Sequence, residues 1–305
     1  MLRKTTCALL AFFLIFTSIA LAKNPTEVTM VEKLTAVERV IYGAEQNGSL
    51  VDRVAKLERD MYGRENSDVL QDRIDRLFSR ARNIKSSDPS FLTELNAAEW
   101  TLLRSVSTQP IPDRVANLEK VMWGSSTNGP MEIRLKRLLK VAYASGRVDV
   151  APAKLDKDSL VKIKINVPID TQTARVGDAV GFEVAEDVYV GNCLVIAKGA
   201  GGSGRVIKTK PARNFGRDAK LEVAFENVEA MDGSTIHTLM GDKAKAETLS
   251  KLKAAGASVT GMLLLGPVGL LGGAFVKGQE VVIPAGAELY VQIEADTNVY
   301  GVNVR

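Results

Sequence analysis

The chain has 305 residues, with 40 Lys and Arg against 36 Asp and Glu, so its formal net charge is only +4. A charge this balanced argues against a nucleic-acid-binding protein, which would need a basic face. One histidine and two cysteines make a transition-metal site within one chain an unexpected feature, and no cofactor is predicted.

The first 22 residues have the pattern of a secretory signal peptide. Two basic residues precede an apolar run that begins at Cys7 and ends in Ala20-Leu21-Ala22. A basic start, an apolar core and a small-x-small end are typical of an export signal, so cleavage is predicted after Ala22. An uncleaved anchor is the alternative. Cleavage would leave Cys193 as the one cysteine, so an internal disulfide is not expected.

Residues 23–145 contain six copies of one helical unit, which begin 20 or 21 residues apart. Each copy has an apolar residue followed by others four, seven and eleven positions later, a spacing that places all four on one helix face. The sets are Met30/Leu34/Val37/Ile41, Leu50/Val54/Leu57/Met61, Leu70/Ile74/Leu77/Ala81, Phe91/Leu95/Ala98/Leu102, Ile111/Val115/Leu118/Met122 and Met131/Leu135/Leu138/Ala142. The spacing predicts an antiparallel array of helices joined by short turns, able to fold by itself.

Three copies end in an aromatic residue followed by glycine, as expected where a helix closes in a left-handed turn. The predicted turn residues are Tyr42, Gly43, Tyr62, Gly63, Trp123 and Gly124. The rings are expected to pack under the turns, with stacking on a ligand as the alternative.

Charged residues also recur in register. A basic residue stands at the fourth position of five copies, and an acid follows the third apolar position of four. The basic residues are Lys33, Arg53, Arg73, Arg114 and Arg134, and the acids are Glu38, Glu58, Glu99 and Glu119. They are expected to be solvated or paired between adjacent helices, with a small contribution each. The units resemble the L-x-x-R-V-x-x-L-E-x-x-x-Y/F-G repeats of bacterial envelope proteins, which implies a scaffold or docking role.

The helical period stops at residues 146–159, where Gly146, Pro152 and alternating charges predict a linker. From residue 160 to 305 apolar residues alternate with polar ones, as in half-exposed strands. The predicted strands are 161–167, 180–190, 194–197, 204–209, 220–228, 235–240, 280–283, 288–295 and 298–304. Their hairpin spacing predicts an antiparallel barrel or sandwich, interrupted by a helix at 242–255.

That helix leads into an apolar stretch, 254–276, with no charge between Lys253 and Lys277. A proline at its centre favours a hairpin over one straight helix, because proline lacks the backbone donor and clashes with the preceding turn. The residues expected to contact a membrane or another copy are Gly261, Leu264, Leu265, Gly266, Pro267, Gly269, Leu270, Gly273 and Phe275. Burial in a soluble core, an oligomer interface and membrane insertion remain as alternatives.

The order of strands, helix, apolar hairpin and closing strands resembles the C-terminal β-barrel domain of TrbI-like proteins, the outer-membrane core component of type IV secretion channels. The corresponding motifs are Val176-Gly177-Asp178, Glu186-Asp187-Val188-Tyr189, Lys198-Gly199, Gly204-Arg205-Val206, Asp232-Gly233 and Ile283-Pro284-Ala285-Gly286. In that family an insertion between late strands projects as helices through the outer membrane, which is the place that the resemblance implies for 254–276. The helical repeats have no counterpart there, so a shared barrel is favoured over a shared function.

Two motif fragments point away from enzymatic chemistry. Residues 199–204 have the spacing of a dinucleotide-binding fingerprint, but a strand-like segment follows where the fingerprint needs a helix. His237, the only histidine, stands mid-strand without a nucleophile elbow, so a structural role is favoured over a Ser-His-Asp relay with Ser234. No catalytic, cofactor-binding or metal-ligating residue is predicted.

The sequence therefore predicts an α+β multidomain protein with an N-terminal helical array and a C-terminal β domain. The favoured function is a non-enzymatic, exported cell-envelope scaffold or tether. The alternatives are a membrane-associated oligomer or channel component that inserts through 254–276, and an envelope hydrolase. Expected partners are envelope proteins or further copies of the chain, with a periplasmic or outer-membrane-associated location in a bacterium and no nucleic acid.

Overall fold

The structure is a computed structural model that describes residues 28–82, 88–211, 219–254 and 282–304. The predicted signal peptide with its cleavage site at Ala22 lies outside the described residues. So do the residues between 261 and 275 that were expected to contact a membrane or another copy.

Six helices form the N-terminal half, and each begins at the first apolar residue of a predicted unit. They are α1 Met30–Tyr42, α2 Leu50–Tyr62, α3 Leu70–Ala81, α4 Phe91–Leu103, α5 Ile111–Trp123 and α6 Met131–Ala142. The second and third apolar positions of all six units are buried in one shared core, as Leu34 and Leu118 illustrate. Their spacing puts both on the same helix face, so the prediction of six helical units is confirmed.

The helices form two groups of three that close against each other. α1 packs chiefly against α3, and α4 chiefly against α6. Gly43, Gly63 and Gly124 end α1, α2 and α5 in the left-handed conformation, with φ of 77°, 78° and 80°. The first two of these turns contact Pro110 and Pro130, which cap α5 and α6. Each of these two turns therefore contacts the start of the helix that lies four units later in the chain.

The C-terminal half contains twelve strands and one helix among the described residues. The strands are β1 Val150–Leu155, β2 Leu160–Ile165, β3 Ile169–Asp170, β4 Ala179–Val184, β5 Val188–Val190, β6 Cys193–Ile196, β7 Gly201–Lys210, β8 Lys220–Glu229, β9 Thr235–Leu239, β10 Val282–Ile283, β11 Glu288–Ile293 and β12 Thr297–Asn303, and the helix is α7 Asp242–Ala254. Six of them close into an antiparallel barrel in the order β11-β2-β4-β7-β8-β9. Of the two predicted architectures, the barrel is the one that forms.

The remaining strands flank the barrel. β1, β12, β6 and β5 form a four-stranded sheet, and β10 pairs with β3. The predicted strand 180–190 is two strands, β4 and β5, which belong to different sheets. Inside the barrel Phe182 and Phe225 meet edge to face, with 5.5 Å between ring centroids.

β1 occupies residues 150–155 of the stretch predicted to be a linker, so that prediction is wrong for these residues. The strand pairs with β12 near the end of the chain, from Val150↔Val302 to Leu155↔Thr297. Local sequence does not reveal a partner so distant. Pro152, which suggested a linker, is tolerated because β1 is the edge strand of its sheet.

Candidate functional site

The junction between the helical half and the β half is built around α4. One side of this helix faces the helical core through Phe91 and Leu95. On the β side, Asn96 Nδ2 donates to Met231 O at 3.0 Å, and Trp100 Nε1 donates to Asp187 Oδ2 at 2.9 Å. A helix buried on both sides does not keep a narrow apolar stripe, so α4 also buries Leu92, Ala97 and Trp100 outside its repeated apolar positions.

The junction also includes the loop after α4. Val106 N donates to Lys198 O at 2.8 Å. Gly199 has a φ of +86°, and a Cβ added there would lie 2.1 Å from Val106 O. The glycine at this position therefore allows two backbones to approach closely. Because strand β7 follows, the run of glycines serves packing and lacks the helix of a dinucleotide site.

A small cavity lies at this junction, between Asn96, Arg114 and Met231. Its volume is about 20 Å³, room for roughly one water molecule. Arg114 already donates to Asn96 Oδ1 at 2.6 Å and to the carboxylate of Glu99. The polar groups around this cavity hold the fold together, and the cavity is too small for an organic substrate.

The charged slots of the helical units are paired between adjacent helices, which is one of the two expected arrangements, and four of these pairs are buried instead of lying at the surface. In four places a glutamate accepts hydrogen bonds from the side chain of an arginine 15 residues later and from a backbone N–H 8 residues later. The four sets are Glu38/Gln46/Arg53, Glu58/Asn66/Arg73, Glu99/Ser107/Arg114 and Glu119/Thr127/Arg134. The glutamate side chains are at most 1 % exposed and the arginines at most 12 %. Each set joins two consecutive helices and the turn between them.

Two of these glutamates have lowered pKa values. Burial alone raises the pKa of Glu119, but hydrogen bonds from Arg134 and Thr127 outweigh it and lower the pKa to about 2. Burial and hydrogen bonds from Arg73 and Asn66 compete in the same way at Glu58, and its pKa is also lowered. Both carboxylates are therefore held in the charged form that their arginine partners require.

The series of pairs is interrupted between the third and fourth units. Phe78 stands where a glutamate would be, and Glu94 stands where an arginine would be. Arg80 instead donates to Glu94 and to Glu132 on α6. This reversed contact marks the boundary between the two groups of three helices.

The three aromatic residues of the predicted turns have different surroundings. Tyr42 donates to Asp60 Oδ2 at 2.6 Å, and Tyr62 is partly buried against the helical core, so both rings pack at their turns. Trp123 is 40 % exposed, with the guanidinium carbon of Arg137 at 4.9 Å from its ring centroid. It is the one ring of the three that the structure leaves open to solvent.

The barrel wall carries a groove of about 510 Å³, lined by residues of β7, β8 and β9. β8 pairs with β7 along its length, but with β9 only from Asn227 to Glu229. Thr238 and Leu239 of β9 pair with β11 instead. Among the described residues, β8 from Lys220 to Glu226 therefore has a ladder partner on one side only. The Oδ1 atom of Asn227, in the same groove, is buried without a hydrogen-bond partner in this part of the chain.

His237 lies in the middle of β9, on the groove. The Ser234 hydroxyl donates to Asp232 Oδ1 at 2.5 Å, so these two groups are engaged with each other. Within the described ranges no three His, Cys, Asp or Glu side chains lie close enough to hold a metal ion. In the same ranges, no helix combines the length and the apolar character needed to cross a bilayer.

Comparison with known proteins adds a loose structural likeness. No protein-family model matches the sequence, and no curated protein matches it. Among solved structures the chain is similar to ComB10 of the Com type IV secretion system of Helicobacter pylori, with 17 % identity over 47 % of this chain and 88 % of that chain. The TM-score is 0.28, a value at which the likeness carries no argument about function.

Proposed function

We propose that this protein is a non-enzymatic, exported scaffold of the bacterial cell envelope that binds other polypeptides. The observation that carries the proposal is the open edge of β8 in the barrel groove. Unpaired backbone groups beside an apolar groove are a ready site for an added strand from another chain. Phe225 O already accepts a hydrogen bond from the Thr238 hydroxyl, so the edge offered to such a strand is the described part from Lys220 to Ala224.

The junction at α4 supports the same proposal. Hydrogen bonds from Asn96 and Trp100, together with the close approach at Gly199, tie the helical half to the β half. A partner held at the barrel groove is thereby kept at a set place relative to the helical surface. That arrangement suits a scaffold, whose task is to position bound proteins.

Photo-crosslinking in the living cell tests the proposal. A photoreactive residue at His237 in the groove is expected to give a discrete adduct with an envelope protein or with a second copy. The matched control is Val167, which is 67 % exposed and lies outside the groove. Adducts from His237 that match those from Val167, or the absence of any adduct larger than a single copy of the chain, would contradict the proposal.

A second candidate function is a membrane-associated oligomer or channel component. It is favoured by the uncharged apolar stretch 254–276, which follows α7 and precedes β10 in the sequence. Leu264→Asp tests it, because a charge in a membrane-inserted segment is expensive. The expected result is a retained thermal transition of the β half with loss of membrane fractionation or of oligomers. A lost transition would instead indicate a packed core.

A further inference from the structure

The outer face of α6 is a second surface with a distinct composition. Its exposed residues are Ile133, Lys136, Arg137, Lys140 and Val141. They are spaced at three, four, seven and eight residues, so they form one stripe along the helix. Ile133 is 58 % exposed and Val141 is 46 % exposed, and no acidic residue interrupts the stripe. This set is called the α6 outer face below.

The cations of the α6 outer face have no acidic partner in the part of the chain that the structure describes. Within the described residues, no carboxylate lies within ion-pair distance of Lys136, Arg137 or Lys140. The acid of the same helix, Glu132, is turned away and engaged by Arg80. In the first group of helices, by contrast, three of the exposed cations, Lys56, Arg59 and Arg76, each have an acidic partner.

An aromatic ring adjoins the stripe. Trp123, at the end of α5, is exposed beneath the guanidinium of Arg137. Tryptophan is enriched at the level of lipid headgroups, where its ring can be apolar on one side and wet on the other. Because Arg137 lies over the Trp123 ring, the ring stands next to the cationic stripe.

We propose that the α6 outer face binds peripherally to a membrane surface rich in anionic lipids. Interspersed cations and apolar tips suit a headgroup layer, where lysine and arginine meet phosphate and short apolar side chains enter the acyl boundary. A protein partner would need apolar residues gathered in a desolvated centre with charges at the rim. Here Lys136, Arg137 and Lys140 stand between the apolar residues, so the lipid surface is the better match.

This contact is separate from the apolar stretch 254–276. It uses a helix of the N-terminal half and depends on charge, whereas insertion of an uncharged segment would not. Attraction of surface cations to anionic lipid falls as salt screens it. The dependence of binding on lipid charge and on salt therefore distinguishes a contact at the α6 outer face from insertion of residues 254–276.

The test is co-sedimentation of the purified protein with phosphatidylcholine vesicles, with and without phosphatidylglycerol. The variant Lys136→Gln/Arg137→Gln/Lys140→Gln is expected to reduce partitioning onto phosphatidylglycerol vesicles on the order of 100-fold, because each surface cation contributes roughly tenfold or somewhat less. High salt should reduce wild-type binding similarly. The matched control is Arg39→Gln/Arg64→Gln/Lys157→Gln, which removes three exposed cations elsewhere and should bind like wild type.

Two further measurements keep the test decisive. Far-UV spectra and thermal transitions should be unchanged in both triple variants, because glutamine is a good helix former. Ile133→Ser with Trp123→Ser should weaken binding without altering its salt dependence. Equal partitioning of the two triple variants would overturn the proposal. Binding of poly-glutamate in place of vesicles, lost in the same triple variant, would also overturn it and assign the face to an acidic protein.

Discussion

Arg73 Nη2 lies 2.7 Å from Glu58 Oε2 inside the helical half, where the glutamate side chain is 1 % exposed. The two residues belong to different helices and are 15 residues apart. Asn66 N donates to the same carboxylate at 3.0 Å. Because this arrangement recurs in four places, a single substitution can measure what holds consecutive units together.

Glu58→Ala should destabilise the helical half by about 3–5 kcal/mol, because it leaves the charge of Arg73 buried without a partner. This loss is similar in size to the loss of about 2–5 kcal/mol expected for the neighbouring core change Leu57→Ala. Urea unfolding followed by circular dichroism measures both. The control Lys56→Ala removes an exposed ion pair and should cost less than about 1 kcal/mol. A Glu58→Ala loss as small as that of Lys56→Ala would show that the pair contributes little.

Acid should weaken the helical half through Glu119. The folded-state pKa of this carboxyl is lowered to about 2 from an ordinary value of 4.5, so its contribution to stability is fully present above pH 4.5. The contribution is lost as the pH falls from about 4.5 through about 2. Glu119→Gln should therefore show a shallower loss of unfolding free energy over this range. Asp113→Asn, an exposed change on the same helix, should keep the wild-type slope, and a wild-type slope in Glu119→Gln would contradict the prediction.

Gly63 and Gly124 form a matched pair for the contact between the two helix groups. Both have a left-handed φ, but a Cβ on Gly63 would meet Pro130 Cγ at 2.5 Å, whereas one on Gly124 meets nothing within 4 Å. Gly124→Ala should cost about 1–2 kcal/mol from backbone strain. Gly63→Ala should cost about 1–3 kcal/mol more from overpacking, measured by thermal unfolding. Pro130→Ala should recover much of the excess; equal costs in the two single variants would rule out the contact.

Gly199→Ala should loosen the α4 junction, because the added methyl group would clash with the backbone oxygen of Val106. We expect calorimetry to separate one cooperative transition into two, as the halves lose their coupling. Gly191→Ala provides the control, since this glycine also has a positive φ but nothing within 4 Å. Two transitions in the control, or one in Gly199→Ala, would show that the coupling lies elsewhere.

Local periodicity accounts for what could be predicted. The helix starts at Leu50 and Ile111 follow from apolar spacing, and the paired alternation of Ile163 and Ile165 indicates a strand. The burial of Glu58 could not be predicted, because a charged residue that recurs in register gives the same sequence pattern whether its side chain faces water or a buried partner. The constant spacing of 15 residues to Arg73 was the available signal.

Long-range pairing accounts for what could not be predicted. β1 was missed because its hydrogen bonds go to β12, and no local pattern encodes so remote a partner. The groove was missed for the same reason, since the open edge of β8 arises where β9 leaves it for β11. Barrel closure depends on all six strands together, and alternation in each one fits a sandwich equally well.

The β half acts as the cap of the helical array. Repeat proteins need a terminal element with a polar outer face, because their last units would otherwise present apolar surface to water. Here Leu194, Met231 and Val302 of the β half belong to the same core as the helices. A fragment ending near residue 145 would leave that core uncovered beside α4, so it should self-associate more strongly than the intact chain. The four-stranded sheet beside the barrel, which contains Leu194 and Val302, thus contributes to the solubility of the repeats.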